Sequence, residues 1–198
     1  DLGRARRNAL NWLGAFLLLP LYTRLLSTAQ YGTLETFYAI ASVVSGILSV
    51  GIAHATLRFY FDYKEQAERA ALVSTNFLAA VMISVTGASL VGAFGNGAVQ
   101  WVLGGSAPPR ALPIILATLV LELSSQVCLA YLRAREKSVL FISVSFAKLM
   151  LQCIANTILL LKFDAGVEGV LAGNLLAVAF GWIVLAGYTL RHCGLHFQ

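Results

Sequence analysis

Long apolar stretches alternate with short polar segments along the whole chain. Six of the apolar stretches hold about 20 residues or more, the length that a helix needs to cross the ~30 Å hydrocarbon core of a membrane. Helix is the expected form because lipid offers no hydrogen-bond partner to an open strand edge. The pattern predicts an all-α fold, a polytopic transmembrane bundle with spans at residues 8–26, 32–54, 70–94, 111–132, 139–161 and 165–190.

The composition supports a membrane location. Hydrophobic residues make up 59% of the chain and charged residues 12%, about half the charged share of a typical soluble domain, roughly 25%. The connections between the apolar stretches are short. The longest, residues 95–110, is predicted to be a loop, because it contains the turn-forming residues Gly95, Asn96, Gly97, Gly104, Gly105, Pro108 and Pro109. No linker divides the chain, so residues 1–198 are predicted to form one domain.

The basic residues predict how the spans are oriented. Ten of the 14 lysines and arginines lie before the first span, after the second, after the fourth and after the sixth. The opposite side carries three, Arg24, Arg110 and Lys162. Because cytoplasmic loops are enriched in lysine and arginine, both termini are predicted to be cytoplasmic, in the inner (plasma) membrane. Charges scattered in this way between spans do not indicate a nucleic-acid partner.

Three spans carry polar residues at steps of three or four, which place side chains on one face of a helix. Polar groups inside a bilayer usually face protein or water, so the stripes predict a bundle around a hydrated cavity. Alternatively, the serines and asparagines join neighbouring helices by hydrogen bonds. The stripes comprise Tyr38, Ser42, Ser45 and Ser49; Glu122, Ser125, Gln126 and Arg133; and Ser145, Lys148, Gln152 and Asn156.

Two charged members of these stripes, Glu122 and Lys148, allow two interpretations. They form an ion pair between neighbouring helices, or they line a path for a substrate. The sixth span instead carries small residues at every fourth position, Gly169, Gly173, Ala177 and Gly181. Such a ridge lets another helix approach closely, so these residues are predicted to serve helix packing.

Motifs for catalysis are absent from the sequence: there is no HExxH, no GxSxG and no glycine-rich phosphate loop. The sequence therefore does not indicate an enzyme, and no cofactor is expected. His192, Cys193 and His196 lie close together but lack a fourth ligand, so they are interpreted as a solvated tail without a metal ion.

Two segments carry a resemblance to a known family. LPLYTRLLSTAQYGTLETF, residues 19–37, followed by SVGIAHATLRFYFDYKE, residues 49–65, resembles the start of the polysaccharide-export flippases. These transporters of lipid-linked oligosaccharides belong to the multidrug/oligosaccharidyl-lipid/polysaccharide superfamily. The matching features are a proline in the first span, a Thr-Arg-Leu-Leu hinge, a Tyr-Gly pair that opens the second span, and a Gly-x-x-x-(small)-x-x-Arg-Phe pattern at residues 51–59 that ends it. DAGVEGV, residues 164–170, resembles the family's glycine-rich entry to the sixth span.

The resemblance implies a transporter of two pseudo-symmetric lobes, of which this chain would be the first, with the second lobe absent. The implied substrate is an isoprenoid-pyrophosphate-linked glycan, moved without covalent chemistry for polysaccharide or lipopolysaccharide biosynthesis. Other expected partners are membrane lipids, the second lobe and a polysaccharide polymerase or assembly proteins. The candidate cavity residues are Arg24, Arg58, Glu122, Gln126, Lys148, Gln152 and Asn156.

Arg24, Arg58 and Lys148 are the candidate contacts to phosphate, because a guanidinium or ammonium group suits that anion. Pro20 removes a helical hydrogen bond and is predicted to bend the first span, which directs Arg24 toward the cavity. The alternative for Arg24 and for Arg58 is an anchor at the membrane interface.

Two rival functions stay open. A cation-coupled drug exporter of the same superfamily often uses a carboxylate in the first span, but residues 8–26 contain no Asp or Glu, and Glu122 is taken as the only mid-span carboxylate. The second rival is a non-transporting membrane subunit of a glycan assembly complex. The polar stripes argue against that rival, because a scaffold needs no hydrated interior.

Overall fold

The computed structural model describes residues 22, 25–49, 58–59, 66–102, 108–135, 137–163 and 165–193. No strand occurs in this part of the chain, and the all-α prediction is confirmed. Its five helices are α1 (Thr28–Ser49), α2 (Gln66–Val102), α3 (Ala111–Ala134), α4 (Ser138–Phe163) and α5 (Gly166–Cys193).

Each of these five helices contains a stretch that is long and apolar enough to cross a membrane. The chain is a multi-pass helical membrane protein, and α1 to α5 correspond to the second to sixth predicted spans. The first predicted span, residues 8–26, lies outside the described residues except for Tyr22, Leu25 and Leu26.

A reciprocal cap starts α1 four residues before the predicted Gly32. The Ser27 backbone N–H donates to Gln30 Oε1 over 3.0 Å, and the Gln30 N–H donates to Ser27 Oγ over 3.2 Å. This Ser-x-x-Gln arrangement is a capping box, and it satisfies donors that a helix start otherwise leaves without partners. The polar segment after Leu26 is therefore the beginning of a helix.

The predicted loop at residues 95–110 is wrong in its first half, because α2 continues through Gly95 and Gly97 to Val102. A glycine inside a helix costs about 1 kcal/mol relative to alanine. Val99 offsets this cost, since it is buried in the same apolar cluster as Leu112 and Ile115 of α3. Tertiary packing therefore overrides the local preference for a turn.

Helices α3 and α5 form the centre of the bundle, and α5 packs against α2, α3 and α4. Although α3 and α4 are consecutive, each packs mainly on α5 rather than on the other. Apolar clusters lie at both ends of the bundle. One joins Leu34, Leu116 and Val170, and the other joins Cys128 and Leu185, so the two central helices α3 and α5 run in the same direction.

The first of these ends, here called the hinge end, brings together the starts of α1, α3 and α5. Glu168, in the first turn of α5, accepts a hydrogen bond of 3.1 Å from the backbone N–H of Arg110 at the start of α3. Gln30 of α1 lies against Gly166, with its Nε2 atom 3.1 Å from the position of a Cβ there. Gly166 has a φ of 51°, in the region that glycine adopts most readily.

Candidate functional site

A buried hydrogen bond ties the segment before α1 to the polar stripe of α4. Asn156 is fully buried, and its Nδ2 atom donates to the Tyr22 hydroxyl over 2.6 Å. Tyr22 is itself 8% exposed. Tyr22 of the Leu-Tyr-Thr-Arg motif therefore lies in the interior of the bundle.

Tyrosines and carboxylates surround this contact. Glu35 and Glu122 both act electrostatically on the Tyr38 hydroxyl, and Tyr38 and Tyr31 act on that of Tyr22. The Tyr31 side chain also hydrogen-bonds Glu35. Helix α1 supplies Tyr31, Glu35 and Tyr38 at steps of four and three, which place them on neighbouring parts of one face. The five residues Tyr22, Tyr31, Glu35, Tyr38 and Glu122 are together called the tyrosine–carboxylate cluster.

The two carboxylate side chains of the cluster lie on the outer surface of the bundle. Glu35 and Glu122 are exposed, although both lie within helices of membrane-spanning length. An acidic side chain at the centre of a span costs about 2.5–3.5 kcal/mol on insertion scales when it faces lipid. The side of the bundle that carries them is therefore suited to water or to another protein segment rather than to acyl chains.

Sequence reasoning missed Glu35, which it did not count among the carboxylates of the spans. The available signal was its spacing, since Glu35 follows Tyr31 by four residues and precedes Tyr38 by three. In the structure, Glu35 of α1 is a second carboxylate that acts, like Glu122, on the Tyr38 hydroxyl.

Three serines of the stripes donate hydrogen bonds within their own helices. Ser42 Oγ donates to the Ala39 carbonyl over 2.8 Å, and Ser145 Oγ donates to that of Phe141 over the same distance. Ser125 Oγ donates to the Leu121 carbonyl over 2.7 Å. These hydroxyls therefore require neither a hydrated cavity nor a partner helix.

The predicted stripe on α3 is divided. Ser125 is buried, whereas Glu122 and Arg133 are exposed and Gln126 is half-buried. Ser125 therefore lies at the buried edge of the stripe and Glu122 at its exposed edge. The outward-facing part of the stripe is reduced to Glu122, Gln126 and Arg133.

Lys148 of α4 packs on the small-residue ridge of α5. Its Cδ atom lies 3.7 Å from the position of a Cβ on Gly181. Glu122 acts electrostatically on Tyr38 of α1, and among the described residues no ion pair joins Glu122 to Lys148. That Glu122 and Lys148 share a hydrated pocket without direct contact stays a prediction. The role of Gln152, which is half-buried, also stays a prediction.

The glycines of the α5 ridge lie against α4. A Cβ on Gly173 would overlap the Asn156 amide oxygen, and a Cβ on Gly169 would lie 3.4 Å from Leu159 Cβ. The close approach of α4 and α5 therefore depends on the absence of side chains at these positions.

Three other predicted residues have no described contact with the cluster. Pro20 and Arg24 lie outside the described residues. Arg58 is exposed in a described segment of two residues, and no contact links it to the cluster. Within the described ranges, no group of three or more His, Cys, Asp or Glu side chains is placed to hold a metal ion.

No protein-family model, curated protein sequence or solved structure matches this chain. The features that bear on function are therefore the membrane helices, the resemblance of the motifs and the geometry of the tyrosine–carboxylate cluster.

Proposed function

We propose that the chain is the amino-terminal half of a prokaryotic inner-membrane flippase that moves an isoprenoid-pyrophosphate-linked oligosaccharide for polysaccharide biosynthesis. The proposal rests on the resemblance of residues 19–37 and 49–65, and on the multi-pass helical fold. Rocking of two helical halves about a site near the middle of the membrane is a general transporter design.

The observation that carries the proposal is the contact between Tyr22 and Asn156. Tyr22 belongs to the motif that bears the resemblance, and its hydroxyl bonds the one fully buried residue of the α4 stripe. The motif therefore contributes to the bundle interior, beside two outward-facing carboxylates, Glu35 and Glu122. A simple interfacial anchor would not require such a buried contact.

The chemistry of the cluster suits the sugar better than the pyrophosphate. Carboxylates accept hydrogen bonds from hydroxyl groups, and charge-assisted bonds of this kind are the stronger ones. A pyrophosphate would be repelled by Glu35 and Glu122 because all these groups are anions. In this proposal the glycan lies along the cluster, while Arg24, Arg58 and Lys148 contact the pyrophosphate and the lipid tail stays in the bilayer.

The test is export of the glycan by the whole transporter in cells, at matched membrane levels. Glu35→Gln and Glu122→Gln should each lower export by about ten- to a hundredfold, since a hydrogen bond to a charged group contributes roughly 1.5–3 kcal/mol. Arg24→Gln should lower it similarly, whereas Arg24→Lys should retain part of it. Arg110→Gln, an exposed arginine at the hinge end, is the matched control. Normal export by both glutamine variants would remove the cluster from the substrate path.

The exposed carboxylates favour a second candidate, the cation-coupled drug exporter. Two carboxylates beside Tyr31 and Tyr38 form a site suited to an organic cation, because such a cation is attracted by negative charge and by the faces of aromatic rings. Efflux of a fluorescent organic cation distinguishes the two proposals. Efflux that is lost in the Glu35→Gln/Glu122→Gln double variant, together with unchanged glycan export, would establish the exporter instead.

A further inference from the structure

The two carboxylates of the tyrosine–carboxylate cluster carry negative charge that no cation balances within the described ranges. Glu35 and Glu122 are both exposed. The Tyr31 side chain hydrogen-bonds Glu35, and the neutral Tyr38 hydroxyl lies in the field of both carboxylates. Lys148, the lysine of the α4 stripe, forms no ion pair with either of them. The surroundings of the cluster are therefore acidic.

Neutral hydrogen-bonding groups border these carboxylates. Gln126 follows Glu122 by four residues, so the two side chains lie one above the other on α3. The Gln126 amide is half-buried and has no hydrogen bond among the described residues. The Tyr22 side chain is 8% exposed, and its hydroxyl accepts the bond from Asn156, but the hydrogen of that hydroxyl has no acceptor within the described ranges. The cluster therefore offers two charged acceptors, one amide and one unused buried donor.

A ligand that matches this set of groups must both donate and accept hydrogen bonds. A sugar hydroxyl does both, so it can donate to Glu35 or Glu122 and accept from the Tyr22 hydroxyl. The carboxylate of an acidic sugar only accepts. It would leave both glutamates without a donor, and its charge would be repelled by theirs. Such repulsion is stronger inside a membrane protein than in water, because the effective dielectric constant is lower there.

We infer that the cluster admits glycans whose sugars are uncharged where they pass it, and that it rejects a sugar carrying a carboxylate at that point. The inference rests on the proposed function and names the chemical class of its substrate. The pyrophosphate is common to all substrates of this kind, so it cannot distinguish one glycan from another. The discrimination comes from Glu35 and Glu122, which act as a repulsive element against the wrong glycan.

The test measures transport by the whole transporter reconstituted in liposomes. Three isoprenoid-pyrophosphate disaccharides differ only at C6 of the outer sugar, which is glucose, glucuronic acid or the methyl ester of glucuronic acid. A pyrophosphatase that cannot pass the membrane releases each glycan that reaches the outer leaflet, so one readout serves all three. The acid should cross at least about tenfold more slowly than the glucose compound, because like charges brought together are strongly unfavourable. The ester lacks the charge and should cross within about threefold of the glucose compound.

Glu35→Gln/Glu122→Gln should raise the ratio of acid to glucose transport by about tenfold, whatever its effect on the absolute rates. Glu68→Gln, which removes an exposed carboxylate from the first turn of α2, is the control and should leave that ratio unchanged. The comparison of acid with ester uses the unaltered protein, so it decides the matter even if the double variant fails to fold.

Two results would overturn the inference alone: equal rates for the acid and the ester, or an unchanged ratio in a folded double variant that still transports the glucose compound. A different result would overturn the proposed function, and this inference with it. That result is crossing of all three compounds no faster than in liposomes without protein.

Discussion

Asn156 of α4 and Gly173 of α5 meet at one crossing point, where a Cβ on the glycine would overlap the amide oxygen of the asparagine. That oxygen is buried and has no hydrogen-bond partner among the described residues, while the amide nitrogen is bonded to Tyr22. A Cα–H group is a weak donor that can face such an oxygen. The spacing of two helices and the orientation of one amide are therefore linked.

Gly173→Ala should destabilise the protein, because the new methyl group must displace the Asn156 side chain and also lies 3.2 Å from the Asn156 backbone nitrogen. Overpacking of this kind costs typically about 1–3 kcal/mol. Gly181→Ala is the control, since its Cβ would make an ordinary contact of 3.7 Å with Lys148 Cδ. Denaturant unfolding in mixed micelles gives both free energies, and equal values for the two variants would contradict the crossing-point geometry.

Tyr22→Phe should lower the free energy of unfolding by about 1–3 kcal/mol, because it leaves the buried Asn156 amide without its remaining partner. Combining it with Asn156→Leu, which replaces the amide by an apolar group of similar shape, should recover most of that loss. The measurement is a double-mutant cycle on unfolding free energies. Simple addition of the two single effects would mean that the two side chains do not interact.

Ser27→Ala should lower the free energy of unfolding by about 0.5–2 kcal/mol, because the hydroxyl caps the first turn of α1. Amide hydrogen exchange should increase at residues 28–31 and remain unchanged in α5. Thr28→Ala, an exposed neighbour one position later, serves as the control. Unaltered exchange in the first turn of α1 would exclude the capping box.

Removal of the Glu122 and Lys148 charges should have additive effects on stability, because Lys148 packs on Gly181, whereas Glu122 acts electrostatically on Tyr38 of another helix. Residues that do not touch usually add within about 0.3–0.5 kcal/mol. The variants are Glu122→Gln, Lys148→Met and their combination. If the effect of the double variant departs from the sum of the two single effects by about 1 kcal/mol or more, as for a direct pair interaction, the two charges pair directly after all.

Cysteine labelling in whole cells tests the orientation that the charges predict. In a background without Cys128, Cys153 and Cys193, Arg110→Cys should react with a membrane-impermeant maleimide. Lys137→Cys, exposed at the other end of the bundle, should react only after the cells are permeabilised. The reverse pattern would place both termini outside the cytoplasm.

The helices themselves could be predicted because lipid fixes the length and polarity of a span. The start of α1 is also predictable from the sequence, since the capping box at Ser27 and Gln30 is a local signal. The end of α2 was not, because the burial of Val99 against α3 is a tertiary effect. The division of the α3 stripe has a geometric cause: three residues turn a helix by about 300°, so Ser125 points some 60° away from Glu122.

The cluster was harder to predict than the spans. Tyr22 and Asn156 are separated by 134 residues, and no pattern in the sequence shows that α4 packs on α5 rather than on α3. Glu35 and Glu122 come together only through the placement of α1 beside α3. Sequence periodicity identifies which residues share a face of one helix, but it does not identify the helix opposite.

The hydrogen bond from Arg110 to Glu168 has a consequence for biogenesis. The acceptor follows the donor by 58 residues, and a ribosome needs roughly 3–12 s to add that length at about 5–20 residues per second. Throughout that interval the Arg110 N–H at the start of α3 lacks the Glu168 carboxylate as its acceptor. It depends instead on water or on the insertion machinery for a hydrogen-bond partner. Arrival of α5 completes the hinge end, so a chain interrupted before Glu168 should leave the membrane insertion site with α3 less firmly held than in the finished protein.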